Sequence, residues 1–147
     1  MPTAAKLIGA ILFAVLAFFV TEEVKEVMPG EGRGMGMLSP LNALIGAAMG
    51  WRIIGTRAGT GYMPTFGFGL TTFFVTTALA LTWWAGYTMI ERAVAGRYRD
   101  PVGALEGMGG LILDYWAFVA TPDAMAVALL GSLIFGLVTE YVSRRWS

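Results

Sequence analysis

Residues 64–90 read PTFGFGLTTFFVTTALALTWWAGYTMI and carry no charged side chain. A hydrocarbon core about 30 Å thick takes roughly 20 residues of helix to cross, so this stretch reads as a membrane-spanning helix. Trp83, Trp84 and Tyr87 stand near its far end, where amphipathic aromatic rings favour the membrane–water interface. Seven threonines fall between Thr65 and Thr88. They do not require a polar channel, because a threonine hydroxyl in a helix can bond the carbonyl one turn earlier.

The rest of the chain fits the same class. Of 147 residues 56% are hydrophobic and 14% charged, with a mean hydropathy of +0.67, too apolar for a soluble domain of this size. The expectation is an all-α integral membrane bundle in one domain, 1–147, of about four transmembrane helices plus one interfacial or partly buried helix. The partner it requires is a lipid bilayer. Ten basic and ten acidic residues cancel, so no basic field draws a nucleic acid. The chain has no Cys and no His, which removes disulfides, thiol redox chemistry, the common zinc sets and histidine ligation of haem. No cofactor or metal is expected. No nucleophile stands beside a base and there is no phosphate loop, so an enzyme is not expected either.

The expected spans are 4–21, 40–55, 64–90 and 122–142. The first is apolar apart from Lys6, and no small-x-small cleavage site follows it, so it reads as a span rather than a removed signal. Residues 21–39, with Glu22, Glu23, Lys25 and Glu26, read as the longest loop. Ser39-Pro40 has the form of an N-cap followed by a proline at the first helical position, which makes the second span short. Thr121-Pro122-Asp123 has the same form before the last span. The segment 102–120 is long enough to cross, yet it holds Glu106, Asp114 and several glycines, which favours a helix lying at the interface or in a groove. With four crossings and an inside start, Lys6, Arg52, Arg57, Arg144 and Arg145 fall inside and Lys25, Arg33, Arg92, Arg97 and Arg99 outside. This is an even split, and only the sparse basic content of 21–39 favours the inside start.

Asn42, Gly46 and Gly50 recur every four residues, as do Ala124, Ala128, Ser132, Gly136 and Glu140. Such small-residue stripes let helices approach closely, either within one bundle, where the two stripes would pack against each other, or in a homodimer or larger complex. Glu91, Glu106, Asp114 and Glu140 are costly if they face lipid. Asp114 and Glu140 are the candidates for a proton path, against the plainer reading of pairing with nearby arginines or headgroups. Arg52 and Arg57, near helix starts whose free amides favour negative charge, are the candidates for anion binding.

Met1-Pro-Thr-Ala-Ala-Lys-Leu7, Asn42 with Gly46, Gly50-Trp51, Arg57-Ala-Gly-Thr-Gly-Tyr62, Arg97-Tyr-Arg-Asp-Pro101 and Ala120-Thr-Pro122 together resemble the TrgA family of small bacterial membrane proteins. The resemblance runs over almost the whole chain. It implies a multi-pass protein of the bacterial inner membrane, in photosynthetic-type alphaproteobacteria and their marine relatives, associated with tellurite resistance, and it supplies no active site. The absence of Cys argues against reduction of tellurite by the chain's own thiols. Three readings follow: a non-enzymatic protein acting on an oxyanion or its entry route, an accessory or assembly subunit of a larger bioenergetic complex, and a small proton-coupled carrier. Four spans without an internal repeat are few for a self-contained carrier.

Overall fold

The computed structural model describes residues 3–28 and 35–146, and among them there are helices and no strands. The helices are α1 (Thr3–Val27), α2 (Met35–Met49), α3 (Gly55–Arg57), α4 (Tyr62–Val94), α5 (Pro101–Val119) and α6 (Pro122–Arg145). A π-helical turn, Gly50–Ile54, joins α2 to α3, so 35–57 is one continuous rod. Five helical rods result, each long and apolar enough to cross a membrane by length and composition. Their outward faces are apolar: Leu7, Ile11 and Phe19 on α1, Leu44 on α2, Phe66, Phe74 and Leu79 on α4, and Leu130 and Ile134 on α6 are all exposed. Water penalises such a surface and lipid does not. The chain is a membrane protein.

Small residues set the helix contacts. On α1 the buried positions are Ala5, Gly9, Phe13, Leu16, Val20, Thr21 and Val24, a stripe at helical spacing. The Asn42, Gly46, Gly50 stripe lies on this face: a Cβ added to Gly46 would sit 2.8 Å from the Cβ of Ala17, and one on Gly50 2.9 Å from the Cβ of Phe13. The second stripe, with Ala124, Ala128, Ser132, Gly136 and Glu140 all buried, lies between α1 and α4: Ala124 and Ala128 join the α1 cluster of Phe13, Leu16, Val20 and Val24, and Ser132 and Gly136 meet α4. There a Cβ on Gly69 would come within 2.5 Å of the Ser132 carbonyl oxygen. The two stripes therefore pack inside one bundle, the first on α1 and the second on α1 and α4, not on each other.

Two boundaries differ from expectation. Residues 21–27 are helical, because the Thr21 hydroxyl bonds the Ala17 carbonyl oxygen at 2.6 Å and Glu22 pairs with Lys25 one turn on at 2.8 Å. Ser39 is not a cap: α2 starts at Met35, Pro40 lies within it, and the Ser39 hydroxyl donates instead to Glu22 of α1. The second rod thus has 22 residues from Gly36 to Arg57, and it is not short. The start of α5 follows the usual local rule, with Asp100 accepting from the Gly103 amide at 3.3 Å and Pro101 in the first turn.

The ends of the rods fix the topology. Gly55 lies against Lys6 near the start of α1, and the loop after α3 lies against Glu140 near the end of α6. The start of α1 and the end of α6 therefore share one end of the bundle. At the other end Glu22 meets Ser39, and Ala124 at the start of α6 packs in one cluster with Val20 and Val24 of α1. α4 has 33 residues, about 50 Å of helix. α6 packs on its first half, through Gly69 and Thr65, and α5 on its second, where Met108 meets Gly86 and the Tyr115 and Thr88 hydroxyls are 2.8 Å apart. α5 thus packs on the second half of α4, toward the end of the bundle that holds the start of α6.

Together with the expectation that α5 lies at the interface or in a groove, this arrangement gives four full crossings, an even number that labelling tests. The chain has no Cys, so single cysteines report on it without background. In oriented vesicles, cysteines at Thr60 and Trp146 are expected to react with an impermeant maleimide from one side, and those at Gly36 and Arg99 from the other. Labelling of Thr60 and Trp146 from opposite sides would make α5 a fifth crossing.

Candidate functional site

The end that holds the start of α1 and the end of α6 is basic. Lys6, Arg52, Arg57, Arg144 and Arg145 stand on the segments gathered there, with Glu140 as their acid. The remaining described acids, from Glu22 to Asp123, belong to segments toward the opposite end.

Glu140 organises this end. Its side chain is fully buried, and both carboxylate oxygens are occupied. Oε2 accepts from the Gly59 amide at 2.6 Å, and Oε1 accepts from the Gly61 amide at 2.9 Å and from Nε of Arg144 at 2.9 Å. The Thr65 hydroxyl lies 3.2 Å from Oε2 and 2.6 Å from the Gly61 carbonyl oxygen. The loop can aim two amides at one carboxylate because Gly59 and Gly61 take φ values of +95° and +125°, a region open to glycine and costly for other residues. The Arg144 guanidinium also lies 4.8 Å from the centre of the Tyr62 ring, over its face. A carboxylate held this way clamps the 58–61 loop to α6.

Arg52 and Arg57 are exposed at the same end. Arg52 rides on the π turn, whose signature is the Gly55 amide bonding the Gly50 carbonyl oxygen five residues back. Arg57 lies 5.0 Å from the centre of the Phe68 ring. Among the described residues the ion pairs are Glu22–Lys25 and Glu140–Arg144, and neither Arg52 nor Arg57 takes part in one. Two guanidiniums thus stand at the surface without a carboxylate, beside a loop whose own acid is committed.

The two proton-path candidates lie apart. Glu140 is enclosed at the basic end, whereas Asp114 is exposed on α5, beside Arg92, Leu111 and Phe118, toward the other end. Asn42 does more than give room for close approach: its amide donates to Thr21 at 3.0 Å, and its carbonyl accepts from the Trp84 indole at 2.9 Å, which ties α1, α2 and α4 together. The remaining stripe residues, Gly46, Gly50, Ala128, Ser132 and Gly136, serve helix contact. Among the described residues no group of three His, Cys, Asp or Glu side chains is placed to hold a metal ion.

A groove opens between α1, α2, α4 and α5, with a volume of about 270 Å³. Sequence reasoning did not find it, because its walls are ordinary apolar positions on four separate helices. No protein-family model, curated protein or solved structure matches the chain.

Proposed function

We propose that this chain is a non-enzymatic, multi-pass protein of a bacterial inner membrane that handles oxyanions at its basic end, in the setting of tellurite resistance that its resemblance to the TrgA family implies. The observation carrying this reading is the pair of exposed arginines, Arg52 and Arg57, that take part in no ion pair among the described residues, at an end whose acid, Glu140, is already held by Arg144. A guanidinium keeps its charge at every physiological pH and presents a planar fork of donors to an oxyanion. Exposed charges are screened over about 10 Å at 0.1 M salt, so such a surface gathers anions at the membrane face rather than gripping one.

In a strain whose tellurite tolerance depends on this protein, the double variant Arg52→Ala/Arg57→Ala is expected to lower tolerance several-fold and to change tellurite uptake. Arg52→Lys/Arg57→Lys should keep most of both. Unchanged tolerance and uptake in the alanine variant, at equal protein level, would overturn direct anion handling.

The accessory-subunit reading has one observation in its favour. α5 exposes Val102, Leu105 and Leu113, and of its 19 residues only Leu111 is fully buried. That apolar face rests on lipid or on another subunit. Solubilisation in mild detergent as a lone monomer, without co-purifying proteins, would remove the second option.

A further inference from the structure

The groove between α1, α2, α4 and α5 is a different site from the basic end. Phe13, Leu16, Val20 and Phe73 line its inner part, and Met28, Tyr87 and Glu91 line it toward the opposite end of the bundle. α4 rises about 27 Å from Phe73 to Glu91, so the groove is long enough for an acyl chain of one leaflet in a hydrocarbon core about 30 Å thick. Of the polar side chains along it, Thr21, Asn42 and Trp84 are bonded in series, and the Thr88 and Tyr115 hydroxyls are paired. The lining that remains is mainly hydrocarbon and aromatic ring, which suits an apolar chain.

A second cleft adjoins the outer end of this groove, and Met28 and Tyr115 line both. Its walls carry Arg92, in the last turn of α4, and the exposed Asp114 of α5, while the exposed Glu91 stands on the groove side. Arg92 and Asp114 line one cleft and yet do not pair. Among the described residues the ion pairs are Glu22–Lys25 and Glu140–Arg144, and none of these three charges takes part in one. An apolar channel thus runs into a place where one cation and two anions are open to a partner. The complement is an amphiphile with one apolar chain to bury and a headgroup of both signs. A guanidinium presents a fork of donors to a phosphate, and carboxylates accept hydrogen bonds from a primary ammonium. A quaternary choline has no N–H to give. The balance of one positive and two negative side chains also disfavours a headgroup of net negative charge.

We propose that the groove and the cleft together bind one zwitterionic phospholipid with a primary-amine headgroup, phosphatidylethanolamine. An acyl chain lies along Phe13, Leu16 and Phe73, the phosphate meets Arg92, and the ammonium meets Glu91 and Asp114. Binding needs neither Arg52 nor Arg57, so it stands apart from the oxyanion reading.

The test is native mass spectrometry of the full chain in detergent, titrated with phosphatidylethanolamine, phosphatidylcholine and phosphatidylglycerol of the same acyl chains. One saturable adduct is expected with phosphatidylethanolamine, and about fivefold weaker binding of the other two, the loss of one hydrogen bond to a charged group. Arg92→Gln and Asp114→Asn should each weaken the phosphatidylethanolamine adduct about fivefold while keeping the parent's thermal melt. Ala80→Phe, which puts a ring into the groove, should remove the saturable adduct; because that variant can fail to fold, the two polar variants decide the matter by themselves. Arg99→Gln, on an exposed residue that lines neither space, should bind like the parent. The proposal is overturned by equal binding of the three lipids, which is an annular layer only, by tightest binding of phosphatidylglycerol, or by unchanged phosphatidylethanolamine binding in both Arg92→Gln and Asp114→Asn.

Discussion

Glu140→Ala is expected to lower the thermal unfolding midpoint in detergent by several degrees or more and to open the 58–61 loop to protease. The carboxylate is fully buried and receives two backbone amides, a hydroxyl and a guanidinium. Removing it strands the Gly59 and Gly61 amides and takes the partner from Arg144. Hydrogen bonds to a charged group contribute about 1.5–3 kcal/mol each, and breaking a buried pair by deleting one member costs about 3–5 kcal/mol. Arg144 is half exposed and can turn to water, which places the expected loss near the lower end, about 3 kcal/mol. Glu140→Gln keeps an acceptor for one amide but faces the other with a donor, so its loss should be smaller than that of alanine. The check is a thermal melt by circular dichroism for parent, Glu140→Gln and Glu140→Ala. A midpoint for Glu140→Ala equal to that of the parent would mean that the loop is held by something other than this carboxylate. The same variants separate structure from transport: if Glu140 served a proton path, Glu140→Gln would abolish transport while leaving the melt almost unchanged.

The fold class could be read from the sequence because lipid imposes a simple requirement. An uncharged run such as 64–90 has few places to be other than across a membrane. Local chemistry also located Thr121-Pro122 as a helix start, since a proline in the first turn acts within one turn of itself. It failed where a distant partner outbid the local rule. Ser39-Pro40 has the form of a cap and a first turn, but the Ser39 hydroxyl goes to Glu22, 17 residues away, and the helix begins a turn earlier. Charges at 22–26 read as a loop because they are costly in lipid, yet the helix runs on beyond the apolar stretch with Glu22 and Lys25 paired along it. The role of Glu140 depends on Gly59, 81 residues earlier, and no spacing in the sequence announces that contact. The groove is less visible still, since its walls come from four separate helices.

Replacing the closest-packed glycines is expected to be as damaging as losing Glu140, for a different reason. Without a hydrophobic driving force between helices in lipid, association rests on close packing, and small residues make the close approach. A Cβ on Gly50 would lie 2.9 Å from both the Gly9 carbonyl carbon and the Phe13 Cβ, and one on Gly69 would lie 2.5 Å from the Ser132 carbonyl oxygen. The obstacles at both sites include backbone, which cannot rotate aside, so α2 must move off α1, or α6 off α4. Alanine gains about 1 kcal/mol over glycine in a helix interior. Overpacking costs about 1–3 kcal/mol, occasionally more, and a larger side chain forces a wider separation. Gly50→Val and Gly69→Val are therefore expected to give little folded protein by size-exclusion chromatography. Gly50→Ala and Gly69→Ala should fold with lowered midpoints. Gly67 and Gly109 are the internal controls: each lies within a helix, and a Cβ there meets nothing within 4 Å. Gly67→Ala and Gly109→Ala should then match or slightly exceed the parent's midpoint. Equal behaviour of all four alanine variants would mean that helix propensity, and not helix contact, sets the stability of this bundle. A drop confined to positions 50 and 69 would locate the stability in the α1–α2 and α4–α6 seams, leaving α5 outside the part of the fold that holds the four long rods together.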